Sequence, residues 1–244
     1  MSFQSVPAAR PSARLRPRPS AAPKPYGLII FDWDGTLASS MGQIVFSVRS
    51  AFRSAGLPEP EERRVRDIIG LRLDRAMEVL WPGAADDPKL CKALVVGYRK
   101  TYMSPECRAP LYDGVREGLA ALARGRELAI ATGKGRPGLE KVLRETGLGE
   151  FFAATRTADD CAGKPDPEMT LSILEELGRD PQDALVVGDT AWDLGMARAA
   201  QVDRVGMLYG AHGRDALEPE GPLALFDSFP ELVAWIEKGA APAV

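Results

Sequence analysis

The stretch that decides the fold reads Leu28-Ile29-Ile30-Phe31-Asp32-Trp33-Asp34-Gly35-Thr36-Leu37. Its four consecutive apolar residues predict a buried strand, and two acids separated by one residue follow that strand directly. Carboxylates at the end of a buried strand lose hydration, so they need a cation or a reaction that compensates for the loss. Asp32 and Asp34 are therefore the expected chemical centre of the protein.

Strand-like and helix-like segments alternate after Pro110. Apolar runs predict strands at 127–131, 151–155, 184–187 and 203–208, with an edge strand at 223–226. Helical spacing predicts helices at 114–123, 137–147, 167–177, 193–200 and 230–238. Such alternation is typical of an α/β fold with a Rossmann-like, mostly parallel sheet and helices on both faces.

The segment between these two regions is helical throughout. Apolar positions recur at helical spacing from Met41 to about Met103, with breaks at 56–58, 70 and 81–83. Four helices without an intervening strand predict an inserted all-α bundle. We therefore expect three parts: a disordered, basic, Pro-rich leader (1–25), an α/β core (26–40 and 107–244) and the helical insertion (41–106).

Charge and cysteine content indicate the compartment and the partners. Residues 1–25 hold five cations and no acid, so the formal charge of −3 leaves −8 for the remainder, and nucleic acid is an unlikely partner. Three cysteines at unrelated spacings favour a reducing compartment, and we expect a cytoplasmic location.

No apolar run predicts a membrane span, and a transit peptide is the alternative reading of the leader. His212, in a glycine-containing loop, is expected to be solvated.

Further polar residues follow the other predicted strands: Thr132, Lys164, Asp189 and, four residues later, Asp193. The carboxyl ends of parallel strands converge on one crevice, so we expect these side chains to share a site with Asp32 and Asp34. Several carboxylates suit Mg²⁺, whereas a lysine and a hydroxyl suit phosphate oxygens. Phosphoryl transfer is the chemistry that this set serves best.

These motifs resemble those of the haloacid dehalogenase superfamily of phosphohydrolases. The four motifs stand in order as Asp32-Trp33-Asp34-Gly35-Thr36, Thr132, Lys164-Pro165 and Gly188-Asp189-Thr190-Ala191-Trp192-Asp193. The helical insertion resembles the cap of the phosphoglycolate phosphatase-like subgroup. Asp34 disfavours two related activities, because haloacid dehalogenases lack this second acid and phosphonoacetaldehyde hydrolases have alanine there.

The resemblance implies a role for each matching residue. Asp32 would be the nucleophile that forms an aspartyl-phosphate, Asp34 the acid and base, and Thr132 and Lys164 the groups that hold the phosphoryl oxygens. The metal ligands would be Asp32, Asp34, Asp189 and Asp193, although Asp193 could instead be a helix N-cap. Substrate-binding residues would be Gly133, Lys134 and Arg72, and Arg136 also lies near the predicted crevice.

The sequence therefore predicts a Mg²⁺-dependent phosphatase that hydrolyses a small phosphorylated metabolite, phosphoglycolate-like or a sugar phosphate. A β-phosphoglucomutase-like phosphotransferase is one alternative, since such enzymes keep both acids. A non-catalytic regulatory or RNA-associated protein, recruited by the basic leader, is the other. We expect a monomer or homodimer.

Overall fold

The computed structural model describes residues 23–239. The predicted leader lies for the most part outside these residues, although Lys24 already pairs with Asp203 (Nζ to Oδ2, 2.8 Å). The strands run, in chain order, over β1 Leu28–Phe31, β2 Glu127–Thr132, β3 Phe152–Thr157, β4 Ala184–Gly188, β5 Asp203–Met207 and β6 Leu225–Phe226. The helices are α1 Met41–Ser54, α2 Glu62–Asp67, α3 Leu73–Leu80, α4 Pro88–Tyr102, α5 Val115–Leu122, α6 Arg136–Thr146, α7 Glu168–Leu177, α8 Ala191–Ala199, α9 Arg214–Leu217 and α10 Phe229–Lys238.

The six strands form one sheet in the order β3-β2-β1-β4-β5-β6, and every pairing is parallel. The chain extends the sheet from β1 first to β2 and β3, and then returns to add β4, β5 and β6 on the other side. The direction of winding therefore reverses between β1 and β4, where the helices that follow the two strands diverge and leave a crevice. The predicted α/β class is confirmed.

The two faces of the sheet bury separate apolar clusters. Side chains alternate along a strand, so Ile29 and Phe31 of β1 join the cluster beneath α5, α6 and α10, while Leu28 and Ile30 join the one beneath α7 and α8. All four residues are fully buried. The continuous apolar run before Asp32 therefore reflects a strand that is covered on both sides.

The helices α1 to α4, which we call the cap helices, form a third apolar cluster of their own, centred on Val48, Phe52, Met77 and Leu94. Their ends agree with local signals in the sequence. Asp87 caps α4 by accepting hydrogen bonds from the backbone amides of Lys89 and Leu90. Within residues 23–239, none of the helices combines the length and apolar character needed to cross a membrane.

Candidate active site

The reversal of the sheet between β1 and β4 brings the first and last motifs together. Phe31 pairs with Val187, and the amide of Asp32 donates a hydrogen bond to the Val187 carbonyl at 3.0 Å. Asp32 therefore leaves β1 at the level where β4 ends, and Asp189 follows β4 one residue beyond Gly188. Two residues 157 positions apart in the chain meet because parallel strands end at the same edge.

Lys164 lies at the centre of this edge. Its Nζ donates to Asp32 Oδ1 at 2.7 Å and to Asp193 Oδ1 at 2.5 Å, and all three side chains are buried. Burial alone would lower the pKa of Lys164, but the two carboxylates raise it above its usual value. The lysine therefore remains a cation that holds the acid after β1 and an acid of α8 in one cluster.

Asp189 is held by donors on both of its oxygens. Thr36 Oγ1 donates to Oδ1 at 2.8 Å, and the Ala211 amide donates to Oδ2 at 2.7 Å. Gly35 makes this approach possible, because a Cβ at that position would lie 2.1 Å from Asp189 Oδ2, and its φ of +82° is unfavourable for other residues. The glycine and threonine of the first motif thus position the acid of the fourth.

Asp193 is the third residue of α8, not its N-cap. Thr190 is the N-cap: its hydroxyl donates to Asp193 Oδ2 at 2.6 Å, and its amide donates to the same oxygen at 3.0 Å. This reciprocal capping box leaves Oδ1 of Asp193 for Lys164. Position 188 must be a glycine, since a Cβ there would lie 2.2 Å from the Asp193 Cβ.

Asp32, Asp189 and Asp193 each offer a carboxylate oxygen, and these oxygens lie within 4.8 Å of one another. Asp32 Oδ2 is buried and has no hydrogen-bond partner among the described residues. Burial raises the pKa of Asp32 to about 7, with Lys164 opposing the shift and Asp193 and Asp34 adding to it. Burial, together with Asp193 and Asp32, raises the pKa of Asp189 well above its usual value. An oxygen cluster with excess negative charge fits a hard divalent cation such as Mg²⁺.

Asp34 is turned away from this cluster. Its Oδ2 pairs with Lys134 Nζ at 2.8 Å, whereas its Oδ1 is buried and finds no partner in the part of the chain that the structure describes. The same ammonium group contacts the hydroxyl of Tyr102, at the end of α4, and lies 4.3 Å from the centre of that ring. Lys134 therefore connects an acid of the core to the cap helices.

Thr132 and Gly133 lie at the end of β2, next to Asp32 and Asp34. The Thr132 side chain is buried, and its hydroxyl accepts a hydrogen bond from the Lys134 amide at 3.3 Å. Gly133 lies directly beneath the loop that joins α2 and α3, because a Cβ there would lie 2.5 Å from the Gly70 carbonyl oxygen. The cap helices thus close over the end of β2.

Two predicted basic residues are not brought to the cluster. Arg72 is half exposed and donates to Asp74 at 2.9 Å. Arg136 donates to Thr155 Oγ1 at 2.7 Å and also pairs with Asp160. Both guanidinium groups therefore already have carboxylate or hydroxyl partners away from Asp32.

His212 differs from the solvated loop residue expected from sequence. Its Nδ1 accepts a hydrogen bond from the Ala191 amide at 3.1 Å, and its ring packs edge-on against Trp192. Burial lowers the pKa of His212, so the ring is neutral and can accept that bond. Its structural role is to hold the first turn of α8, which carries Asp193.

Sequence reasoning gave no structural role to Thr190, Tyr102 or the hydroxyl of Thr36. A signal existed for Thr190, because a threonine followed three residues later by an acid before an apolar run marks a capping box. None existed for Tyr102, since its partner Lys134 lies 32 positions further along the chain. Only the position of the cap helices on the core makes that contact.

Comparison with known proteins agrees with this geometry. A family model described as haloacid dehalogenase-like hydrolase matches residues 29–207. A Dickeya dadantii protein named "Probable phosphatase IndB" is 35% identical over 222 residues, covering 89% of this chain and 94% of that protein. Phosphoglycolate phosphatase of Rhodospirillum rubrum is 31% identical over 233 residues, covering 88% and 96%. A hydrolase from Pseudomonas syringae has a similar structure, with a TM-score of 0.79 at 26% identity, covering 87% of this chain and 99% of that one. The predicted enzyme class, a phosphoric monoester hydrolase, is confirmed by these relatives, and the chain belongs to the haloacid dehalogenase-like hydrolase family.

Proposed function

We propose that this protein is a Mg²⁺-dependent phosphatase that hydrolyses a small phosphorylated metabolite through an aspartyl-phosphate on Asp32. The observation that carries the proposal is the buried cluster in which Lys164 joins Asp32 and Asp193 while Asp32 Oδ2 keeps no donor. A carboxylate oxygen without a hydrogen-bond donor retains its nucleophilic electron pair. The phosphatase relatives support the same chemistry.

In the first step, Asp32 Oδ2 attacks phosphorus and the bond from phosphorus to the leaving oxygen breaks. Asp34 donates a proton to that oxygen through Oδ1, which has no partner in the structure. In the second step, Asp34 takes a proton from water, whose oxygen attacks phosphorus. Inorganic phosphate then leaves and the Asp32 carboxylate is regenerated, so two moderate barriers replace one high barrier.

Mg²⁺ would be held by Asp32, Asp189 and Asp193, the three acids whose oxygens converge. When bound, it would supply positive charge that offsets these carboxylates and the transferring phosphoryl group. The Asp34 side chain, paired with Lys134, is outside this set, so we assign it to the leaving oxygen only. Thr132 and the backbone of Gly133 would orient the phosphoryl oxygens, and Lys164 would offset their charge.

Phosphate release from 4-nitrophenyl phosphate tests the proposal, with MgCl₂ in one series and a chelator in the other. We expect turnover only with the cation, and none above background for Asp32→Asn. The matched control is Asp86→Asn, an exposed acid in the loop before α4, which should retain full activity. Equal activity of wild type and Asp32→Asn would exclude this mechanism. Mass spectrometry of acid-quenched enzyme should place the phosphoryl group on the peptide that contains Asp32.

The cytoplasmic location also remains a prediction. It rests on three cysteines, and all three are free thiols in the structure.

A further inference from the structure

A cavity of about 110 Å³ lies between the cap helices and the ends of β1 and β2. Its core wall includes Asp32, Asp34, Thr132, Gly133 and Lys134. Gly133 of the core and Gly70 of the loop between α2 and α3 both line it. The cavity is therefore continuous with the proposed reaction centre, and it is the space into which the substrate would extend.

The position of Asp34 indicates which part of the substrate the cavity receives. Its Oδ1, the oxygen assigned to protonate the leaving group, is buried without a partner within residues 23–239, and the residue lines the cavity. A group that accepts a proton from Asp34 must lie within hydrogen-bond reach of that oxygen. The remainder of the leaving group then occupies the cavity.

The cap wall of the cavity is almost entirely apolar. It consists of Ile44, Val48, Ile68, Ile69, Leu71, Leu73, Ala76, Tyr98 and Met103, together with Gly70 and the residues Arg99 and Tyr102. Several of these side chains are buried members of the apolar cluster of the cap helices. Water against this wall finds few polar partners, so an apolar group that displaces it is favoured there.

The cations that line the cavity already have carboxylate partners. Lys134 pairs with Asp34 at 2.8 Å. Arg99 pairs with Asp159 at 3.7 Å, and its side chain is more than half exposed. A carboxylate on the leaving group would therefore be buried among apolar side chains, or would have to take Lys134 from Asp34.

We propose that the preferred substrates are phosphomonoesters of compact apolar alcohols, such as those with short branched alkyl groups, and not of carboxylate-bearing alcohols such as glycolate. The proposal rests on the phosphatase function proposed above. The volume agrees with it, because an apolar cavity of about 150 Å³ holds a benzene ring, and 110 Å³ suits a group of slightly smaller size.

The test is a series of alkyl phosphates of similar intrinsic reactivity: ethyl, n-propyl and isobutyl phosphate, compared with phosphoglycolate. We expect kcat/KM to rise about fourfold with each carbon added until the cavity is filled, and to be lowest for phosphoglycolate. A higher value for phosphoglycolate than for isobutyl phosphate, or a flat series, would overturn the proposal. Release of phosphate from none of the four would instead contradict the phosphatase function.

Ala76 allows the cavity itself to be tested. Because Ala76 is buried and lines the space, Ala76→Leu should lower kcat/KM for isobutyl phosphate about tenfold and change ethyl phosphate by less than about twofold. Ala76→Val should lower kcat/KM for isobutyl phosphate by a smaller factor. It replaces the leucine variant in the test if that variant does not fold. The control Ala93→Leu places the same change on an exposed position of α4 and should have no effect. Equal losses with both substrates would show that the leaving group lies elsewhere.

Discussion

Replacement of Lys164 by methionine gives the sharpest test of how the site is held together. The lysine is the cation that separates Asp32 from Asp193 in the buried cluster, and its side chain is fully buried. Methionine has a similar length and volume but no charge. The substitution therefore removes the electrostatic contribution and leaves the packing nearly intact.

The expected loss of stability can be worked out from the ion pairs of Lys164 with Asp32 and Asp193. At an effective dielectric constant of about 20, unit charges 2.7 Å apart attract by roughly 6 kcal/mol, and those 2.5 Å apart by slightly more. Desolvation offsets much of this gross attraction, and removal of one partner from a buried ion pair costs about 3–5 kcal/mol in practice. We expect Lys164→Met to lower the free energy of unfolding by that amount at pH 8 without metal.

The effect should depend on pH in a defined direction. Without Lys164, the folded-state pKa of Asp32 rises further above its unfolded value, since the lysine is the group that lowers it. The folded variant then binds a proton at pH 8 that the folded wild type binds only near pH 7 and below. The variant's deficit in stability therefore shrinks as the pH falls from 8 to about 7 and is smaller at pH 5 than at pH 8. Catalysis should be lost at all these pH values.

Urea unfolding in the presence of a chelator, followed by circular dichroism at pH 5 and pH 8, measures both effects. The control is Lys92→Met, an exposed lysine in α4, which should stay within about 0.5 kcal/mol of wild type. A loss below about 1 kcal/mol for Lys164→Met at pH 8 would refute the argument. A loss of stability that grows as the pH falls would also refute the argument.

Three further predictions concern the same site. Gly188→Ala should destabilise the protein by about 1–3 kcal/mol and displace Asp193, so that both the melting temperature and kcat fall, whereas Gly42→Ala, which meets no atom within 4 Å, should do neither. In metal-free wild type, the pKa of Asp32 is raised from 3.8 to about 7, so the folded state binds the extra proton and urea stability should decrease from pH 4 to pH 7; a rise over this range would contradict the assignment. Tyr102→Phe removes a hydrogen-bond partner of a buried ammonium group and should cost about 1–3 kcal/mol by urea unfolding, while an unchanged value would show that the contact contributes little.

Much of the fold was predictable from local pattern. The apolar run before Asp32 and its counterpart at 184–187 indicated strands buried on both faces, and the structure contains them as β1 and β4. Helix starts could also be predicted where the sequence contains an N-cap residue, as at Asp87. The helix predicted at 193–200 begins two residues earlier in the structure, at Ala191, because Thr190 is its N-cap.

The acids, the lysine and the threonine of the motifs could be recognised because their spacing after apolar strands is local information. Local sequence pattern is therefore sufficient to predict the class of fold, the family and the types of residue at the site. Parallel strands end at a common edge, which is why residues from four separate segments could be expected to meet.

The pairing of these residues with one another depends on the packing of distant segments. Lys164 pairs with Asp32 and Asp193, Asp34 turns to Lys134, and Arg72 stays on the surface, although all were candidates for one crevice. These partners depend on distances between segments that local spacing does not encode. The same holds for the apolar cavity, which exists because the cap helices and the sheet edge enclose a space that neither forms alone.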